Sequence, residues 1–138
     1  MELTKPEIFS LPCIRDPRGN LSVLQYPSTM PFEPMRAYWI YDVPSGMVRY
    51  GHAYYSQSEV IVALSGSFDV VTEGTDGPQR FELNRAYQAL YLPPLTWREI
   101  ENFSTNSVAL VLSSALYDET DYIRDIDVYH DIISHDIK

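Results

Sequence analysis

Short runs of β-forming residues recur along most of this chain at roughly ten-residue spacing, each closed by a turn signal. Ile8 to Ile14, Leu21 to Leu24, Ala37 to Val43, Val48 to Tyr55, Glu59 to Leu64 and Phe68 to Val71 are such runs. Gln79 to Leu83, Ala89 to Leu92, Trp97 to Glu101 and Ser107 to Ser113 continue the series. Between them lie Asp16-Pro17-Arg18-Gly19, Pro44-Ser45-Gly46, Ser65-Gly66-Ser67, Gly74 to Pro78 and Pro93-Pro94. The first of these has Asp, Pro and Gly where a type I turn wants them, so the flanking runs read as a hairpin. A helical period enters only at the end. There Tyr122, Ile126, Tyr129 and Ile133 recur at four, three and four, with Asp118 or Thr120 as the cap. Even spacing of short strands is the rhythm of a sandwich or jelly roll. The expectation is an all-β fold with a short C-terminal helix, one domain over residues 1–138.

Charge and residue usage narrow the partners. Nineteen Asp and Glu against ten Lys and Arg give a net charge of −9. That balance speaks against nucleic-acid backbones and anionic membranes, and an anionic ligand needs a local cluster of arginines. Eleven tyrosines, apolar bodies with polar tips, suit the wall of a ligand-lined barrel. The one cysteine, Cys13, excludes an intrachain disulfide and a cysteine zinc cluster, and reads as a small apolar residue on a strand. Met1 to Pro6 lacks a basic, apolar leader and no run of ~18 apolar residues occurs, so a cytoplasmic protein is expected.

The segment richest in information runs from Gly46 to Gly66. Gly46 is followed by His52 after five residues, Tyr54 two later, Glu59 after four more and Gly66 after a further six. This spacing resembles the first cupin motif, G-x5-H-x-H-x(3,4)-E-x6-G, with Tyr54 at the second histidine. Pro93 to Asn102 resembles the second, P-x-G-x2-H-x3-N, with Leu95 for the glycine and Arg98 for the histidine. The two together imply a single cupin jelly roll, the double-stranded β-helix. Metal-binding cupins hold their ion with the two histidines and glutamate of the first motif and the histidine of the second. Here two of those four are replaced, and Arg98 is a permanent cation that repels a metal. A barrel without metal or other cofactor is therefore expected, its work done by side chains.

Within that frame, Asp16 to Leu21, Arg36 to Asp42, Arg49 to Ala53, Trp97 to Glu99 and Tyr117 to Arg124 resemble the sugar-nucleotide 3,4-ketoisomerases in order along the chain. The run Tyr117-Asp118-Glu119-Thr120-Asp121-Tyr122-Ile123-Arg124 is the most specific stretch. The resemblance implies metal-free cupins, intertwined as homodimers, that convert dTDP-4-keto-6-deoxyglucose into the 3-keto sugar during deoxyamino-sugar biosynthesis for surface polysaccharides. The family pattern R-G-x-H-A-H lies on Arg49 to Tyr54, keeping its first histidine as His52 and replacing its second with Tyr54.

Such an isomerisation needs a base near C3, a proton donor at C4 and donors for the enolate oxygen. His52 suits the base, with an ordinary pKa of ~6.5, and Tyr54, on the same strand face, a donor or relay. Arg18, Arg49 and Arg98 are expected to hold the diphosphate and sugar oxygens. Tyr38 and Trp39 are candidates to stack on the base, and Glu59 to hydrogen-bond in the pocket or balance an arginine. The ligand is thus a nucleotide-diphosphate sugar. The competing reading is a catalytically reduced sugar-nucleotide-binding cupin, a regulatory or partner subunit, and Tyr54 is the residue that separates the two.

Overall fold

Strict alternation of side chains decides where the strands lie and which way they face. The computed structural model describes residues 2–136, and Met1, Ile137 and Lys138 lie outside the described residues. In chain order the strands are β1 Glu7–Ser10, β2 Cys13–Ile14, β3 Leu21–Ser22, β4 Arg36–Tyr41, β5 Arg49–Tyr54 and β6 Glu59–Ser65. They continue as β7 Phe68–Glu73, β8 Gln79–Leu83, β9 Gln88–Leu92, β10 Trp97–Glu101, β11 Val108–Ser113 and β12 Tyr122–Ile123, before helix α1, Ile126–Asp136.

Two five-stranded antiparallel sheets, β1-β9-β6-β11-β4 and β12-β5-β10-β7-β8, close on each other as a cupin jelly roll. The inner faces meet in one core in which Ile61, Leu90 and Val111 of the first sheet pack with Phe68, Val70, Leu83 and Ile100 of the second. Strand β6 shows the logic most plainly. Glu59 through Ala63 are all buried, because Ile61 and Ala63 point into the barrel while Val60 and Val62 point outward, under a layer with Leu11, Met30 and Tyr91. A strand covered on both faces loses the alternating polarity of a half-exposed one.

The outer face of the second sheet is covered by α1. Tyr129, fully buried, packs with Ala53, Trp97 and Ile123, and its hydroxyl donates to the carbonyls of Glu73 and Leu95, each at 2.8 Å. Burying such a ring contributes roughly 2–3 kcal/mol. The helical stripe Ile126, Tyr129 and Ile133 packs as the periodicity predicts. Its start does not. The helix begins four residues later than Tyr122, capped by Asp125, whose carboxylate accepts from the amides of Asp127 and Val128. Asp118 instead caps the short 3-10 turn Glu119–Asp121, accepting from the Thr120 amide. Tyr122 belongs to β12, paired with Tyr54, because extended pairing to the free edge of β5 displaces a helical first turn.

The expected hairpin near the N-terminus forms. The Gly19 amide donates to Asp16 O at 2.9 Å, and Gly19 takes a φ of 127°, open to glycine alone. Its strands β2 and β3 pair only with each other, and their Ile14 and Leu21 are exposed.

Candidate active site

A cavity of about 390 Å³ opens between the sheets, lined by residues of β4, β5, β6, β10 and β11 and by the segment Tyr117 to Arg124. Four guanidinium groups border it, those of Arg36, Arg49, Arg98 and Arg124. Tyr38, Tyr117 and Tyr122 add aromatic surface, and His52 supplies the one imidazole of the lining.

His52 lies on β5 opposite Arg98 of β10. Its ring is held edge-on by Tyr54 (centroids 4.7 Å apart) and tilted against Tyr122 (5.1 Å). Its Nε2 is buried and has no hydrogen-bond partner among the described residues. Burial, and then the positive charges of Arg98, Arg124, Arg36 and Arg49, push its pKa down to about 2. The imidazole is uncharged at neutral pH, with an unoccupied nitrogen in a cationic wall.

Glu59, at the start of β6, is the hub beneath that wall. Arg98 Nη1 donates to its Oε1 at 2.7 Å, and the hydroxyls of Tyr38 (3.0 Å) and Tyr54 (3.1 Å) and Ser113 Oγ all approach its Oε2. Arg36 Nη2 stands 3.6 Å from the same oxygen. Oε2 is crowded with donors, while Oε1 has Arg98 alone among the described residues. Glu59 thus both hydrogen-bonds in the pocket and balances an arginine, and it lines the cavity. Arg98, 2% exposed, also donates through Nε and Nη2 to Thr96 O, and its guanidinium lies 5.1 Å from the Tyr54 ring. Its orientation is fixed on every side before any ligand arrives.

Tyr54 shares the strand face of His52, as the alternation predicts, but it is fully buried and does not line the cavity. Its hydroxyl is committed to Glu59 and lies 3.1 Å from the Tyr122 hydroxyl. Burial, then the charge of Glu59, raise its pKa, so the proton stays on the oxygen. The geometry gives it a position behind His52, against Glu59 and Tyr122. Tyr38 does face the cavity, and burial raises its pKa as well.

Of the other expected contacts, Arg49 and Arg98 come together at the cavity, while Arg18 and Trp39 do not. Arg18 sits in the Asp16 to Gly19 turn, its side chain 90% exposed and paired with Asp16 at 2.9 Å. Trp39 is 60% exposed on the outer face of β4, since neighbours of the inward Tyr38 and Ile40 must point outward. Tyr41 shares that outer face.

Four charged or aromatic lining residues were not picked out from the sequence as site residues: Arg36, Tyr117, Tyr122 and Arg124. Arg36 is two residues before Tyr38 on the same strand face, and its Nε and Nη1 have no partners. Arg124 stacks on Tyr122, 4.2 Å from the ring centroid, and makes paired hydrogen bonds of 2.7 and 2.9 Å to Glu119. That contact and a hydrogen bond from Tyr117 lower the Glu119 pKa to about 2. The signal for all four was present, because Arg36 and the run Tyr117 to Arg124 belong to the stretches that carry the family resemblance.

The site has little to offer a divalent ion. Among the described residues no three His, Cys, Asp or Glu side chains converge, and Glu59 is already bound to a guanidinium that repels cations.

Residues 4–134 match the family described as FdtA, WxcM-like, C-terminal. The TDP-4-oxo-6-deoxy-α-D-glucose-3,4-oxoisomerase of Aneurinibacillus thermoaerophilus is 34% identical over 128 residues, 93% of this chain and 92% of that one. Among solved structures, the sugar 3,4-ketoisomerase QdtA of Thermoanaerobacterium thermosaccharolyticum in complex with TDP superimposes with a TM-score of 0.93 at 33% identity, covering 99% and 100% of the two chains. The TDP-quinovose 3,4-ketoisomerase WlaRB of Campylobacter jejuni gives 0.86 at 35% identity, over 92% and 98%.

Proposed function

This chain belongs to the FdtA, WxcM-like family, and from that membership we propose that it is an isomerase moving the keto group between C4 and C3 of a TDP-linked 4-keto-6-deoxyhexose. The observation that carries the reading is the buried, uncharged Nε2 of His52, unpartnered beside four arginines.

In this reading His52 Nε2 removes the proton from C3. The bonding pair moves toward C4 and the C4 carbonyl becomes an enediolate oxygen. The enediolate oxygen on C4 takes up a proton as the C3 hydroxyl gives its own up, and C4 receives the proton carried by His52 or one from solvent, which leaves the carbonyl at C3 and a hydroxyl at C4. Developing negative charge on oxygen faces Arg98 and Arg36, which are already oriented, so little reorganisation accompanies the step. Arg49 and Arg124 take the diphosphate, for which guanidinium forks are well shaped.

A base with a pKa near 2 is weak, and the ligand itself corrects this. Burial first, and four cations after it, hold the imidazole neutral. A diphosphate placed among them cancels part of that field and raises the proton affinity of Nε2 when substrate is present. Basicity is then greatest in the complex that has to react.

The family-level expectation of a homodimer is part of the proposal. Its support is the apolar surface left open on one copy: Ile14 and Leu21 on the β2–β3 hairpin, and Trp39 and Tyr41 on the outer face of edge strand β4. Light scattering on the purified protein measures it. The reading also carries the cytoplasmic expectation, a compartment in which the free thiol of Cys13 stays reduced.

The test of the activity is incubation with TDP-4-keto-6-deoxyglucose in deuterated buffer, followed by NMR. Expected are a 3-keto product and deuterium exchange, both abolished in His52→Asn while nucleotide-sugar binding persists. Tight binding without turnover by the wild-type protein would instead establish a binding module.

A further inference from the structure

Gln57 lies in the turn between β5 and β6, is 1% exposed and stands outside the cavity lining. A buried amide needs partners at both ends. Its Nε2 donates to Asp121 Oδ2 at 3.0 Å, and its Oε1 accepts from Arg36 Nη2 at 3.3 Å. These partners settle which way the amide faces. Turned over, it would set its NH2 against a guanidinium and its carbonyl against a carboxylate.

The two ends differ in how firmly they are held. Asp121 fastens the segment that brings Tyr117, Tyr122 and Arg124 to the cavity. Its carboxylate also accepts from the Ser56 amide (3.0 Å), Ser56 Oγ (2.8 Å) and the Gln57 amide (3.2 Å), and its carbonyl from the Tyr55 amide (3.0 Å). That end holds without the Gln57 side chain. Arg36 is tied more loosely. Its Nη2 reaches the uncharged oxygens of Gln57, Ser113 (3.2 Å) and Tyr54 (3.4 Å), and stops 3.6 Å from Glu59 Oε2. Opposite charges left to themselves close to about 2.8 Å.

We propose that Gln57 is a positioning residue for the isomerisation: as an uncharged acceptor competing for Nη2, it keeps Arg36 from closing on Glu59. The Nε and Nη1 of Arg36, which are buried and have no partner among the described residues, then remain available to the substrate. This rests on the isomerase reading above, in which Arg36 faces the oxygen that gains charge. A guanidinium drawn into full contact with a carboxylate has its charge offset before the reaction begins, and it stabilises an enediolate less. Gln57 therefore acts through Arg36 on the transition state. The bound nucleotide, whose diphosphate goes to Arg49 and Arg124, depends on it far less.

Gln57→Met keeps the length of the side chain and removes both polar atoms. With TDP-4-keto-6-deoxyglucose as substrate, its kcat should fall at least about tenfold while KM stays within about threefold of wild type. Ser56→Ala is the contrast, since it takes a hydrogen bond from the same Asp121 carboxylate without touching Arg36; its kcat should stay within about twofold. A cycle with Arg36→Met decides between the two roles. Once Arg36 is gone, Gln57→Met should lower kcat by less than about twofold more. NMR of the wild-type protein needs no variant: on binding TDP-6-deoxyglucose the Arg36 Nε–H signal should shift, with no cross-relaxation between the ligand and the Gln57 amide protons. Losses that multiply in the double variant, a loss carried by KM with kcat unchanged, a Ser56→Ala enzyme as slow as Gln57→Met, or a Gln57 amide in contact with the ligand would each overturn the assignment and leave the isomerase reading intact. A wild-type protein that binds TDP but does not turn over the keto sugar would overturn the isomerase reading, and this inference with it.

Discussion

His52 and Arg98 stand directly across from each other on antiparallel β5 and β10, and Gly51 is what lets those strands approach. A Cβ built on Gly51 would lie 1.6 Å from the Arg98 carbonyl oxygen, with the Glu99 side chain also too close. The backbone that carries His52 is thus pressed against the backbone that carries its main cationic neighbour.

Gly51→Ala must push β10 away from β5 at the site. We expect a loss of about 2–3 kcal/mol or more in stability by denaturant unfolding, and turnover reduced further than stability alone explains. Gly77, whose Cβ would meet open space although its φ is positive, is the control, with an effect near 1 kcal/mol for Gly77→Ala.

His52 makes folding sensitive to acid. Its pKa falls from an ordinary 6.5 to about 2 in the folded protein, so below 6.5 the unfolded chain takes up a proton that the native state refuses. Stability must then decline as pH falls from about 6.5 toward 2, by up to about 1.4 kcal/mol per pH unit from this group alone. His52→Asn should flatten that part of the profile between pH 6 and 4, as measured by urea midpoints at each pH. An unchanged slope would show that the imidazole is not held neutral.

The kinetic pH profiles should split. kcat/KM reports the free enzyme, where burial and then the four arginines depress the histidine, so its acid limb is not set by His52 above pH 4. kcat reports the complex, where the diphosphate offsets those charges, so its acid limb should lie at least about one unit higher. Coincident limbs would remove the argument that the ligand activates its own base.

Tyr54 and Arg98 are distinguishable by what they leave behind. Tyr54→Phe removes one donor from Glu59 but keeps the ring against His52; a loss of roughly 1–3 kcal/mol and a fall in kcat under tenfold are expected. Arg98→Met strands Glu59 without its 2.7 Å ion pair and should cost about 3–5 kcal/mol. A kcat for Tyr54→Phe as low as that of His52→Asn would put the tyrosine hydroxyl at the reacting carbons after all.

Local patterning made the architecture legible, because strand rhythm and turn chemistry act over a few residues. The expected strands from Leu21 to Ser113 form to within a few positions, while Ile8 to Ile14 breaks into β1 and β2 in different sheets, and the strand alternation that brings His52 into the lining is a two-residue rule. What the sequence left hidden depends on long-range pairing. The two-residue β12 exists only because β5 offers a free edge, so the turn before α1 read as helix. Trp39 and Tyr38 are adjacent in sequence and opposite in space, a choice set by which face of β4 closes on the core. The partners of Glu59 were equally hidden, since Tyr38, Tyr54, Arg98 and Ser113 come from four other strands.

The ring of arginines sits in a molecule whose formal net charge is −9. A doubly charged ligand approaching from bulk solvent meets a repulsive far field and an attractive near field. Dissolved ions screen the first beyond roughly 8–10 Å, and act far less on contacts with groups as enclosed as Arg98. Modest salt therefore hastens encounter, the reverse of an enzyme that gathers its substrate by overall charge.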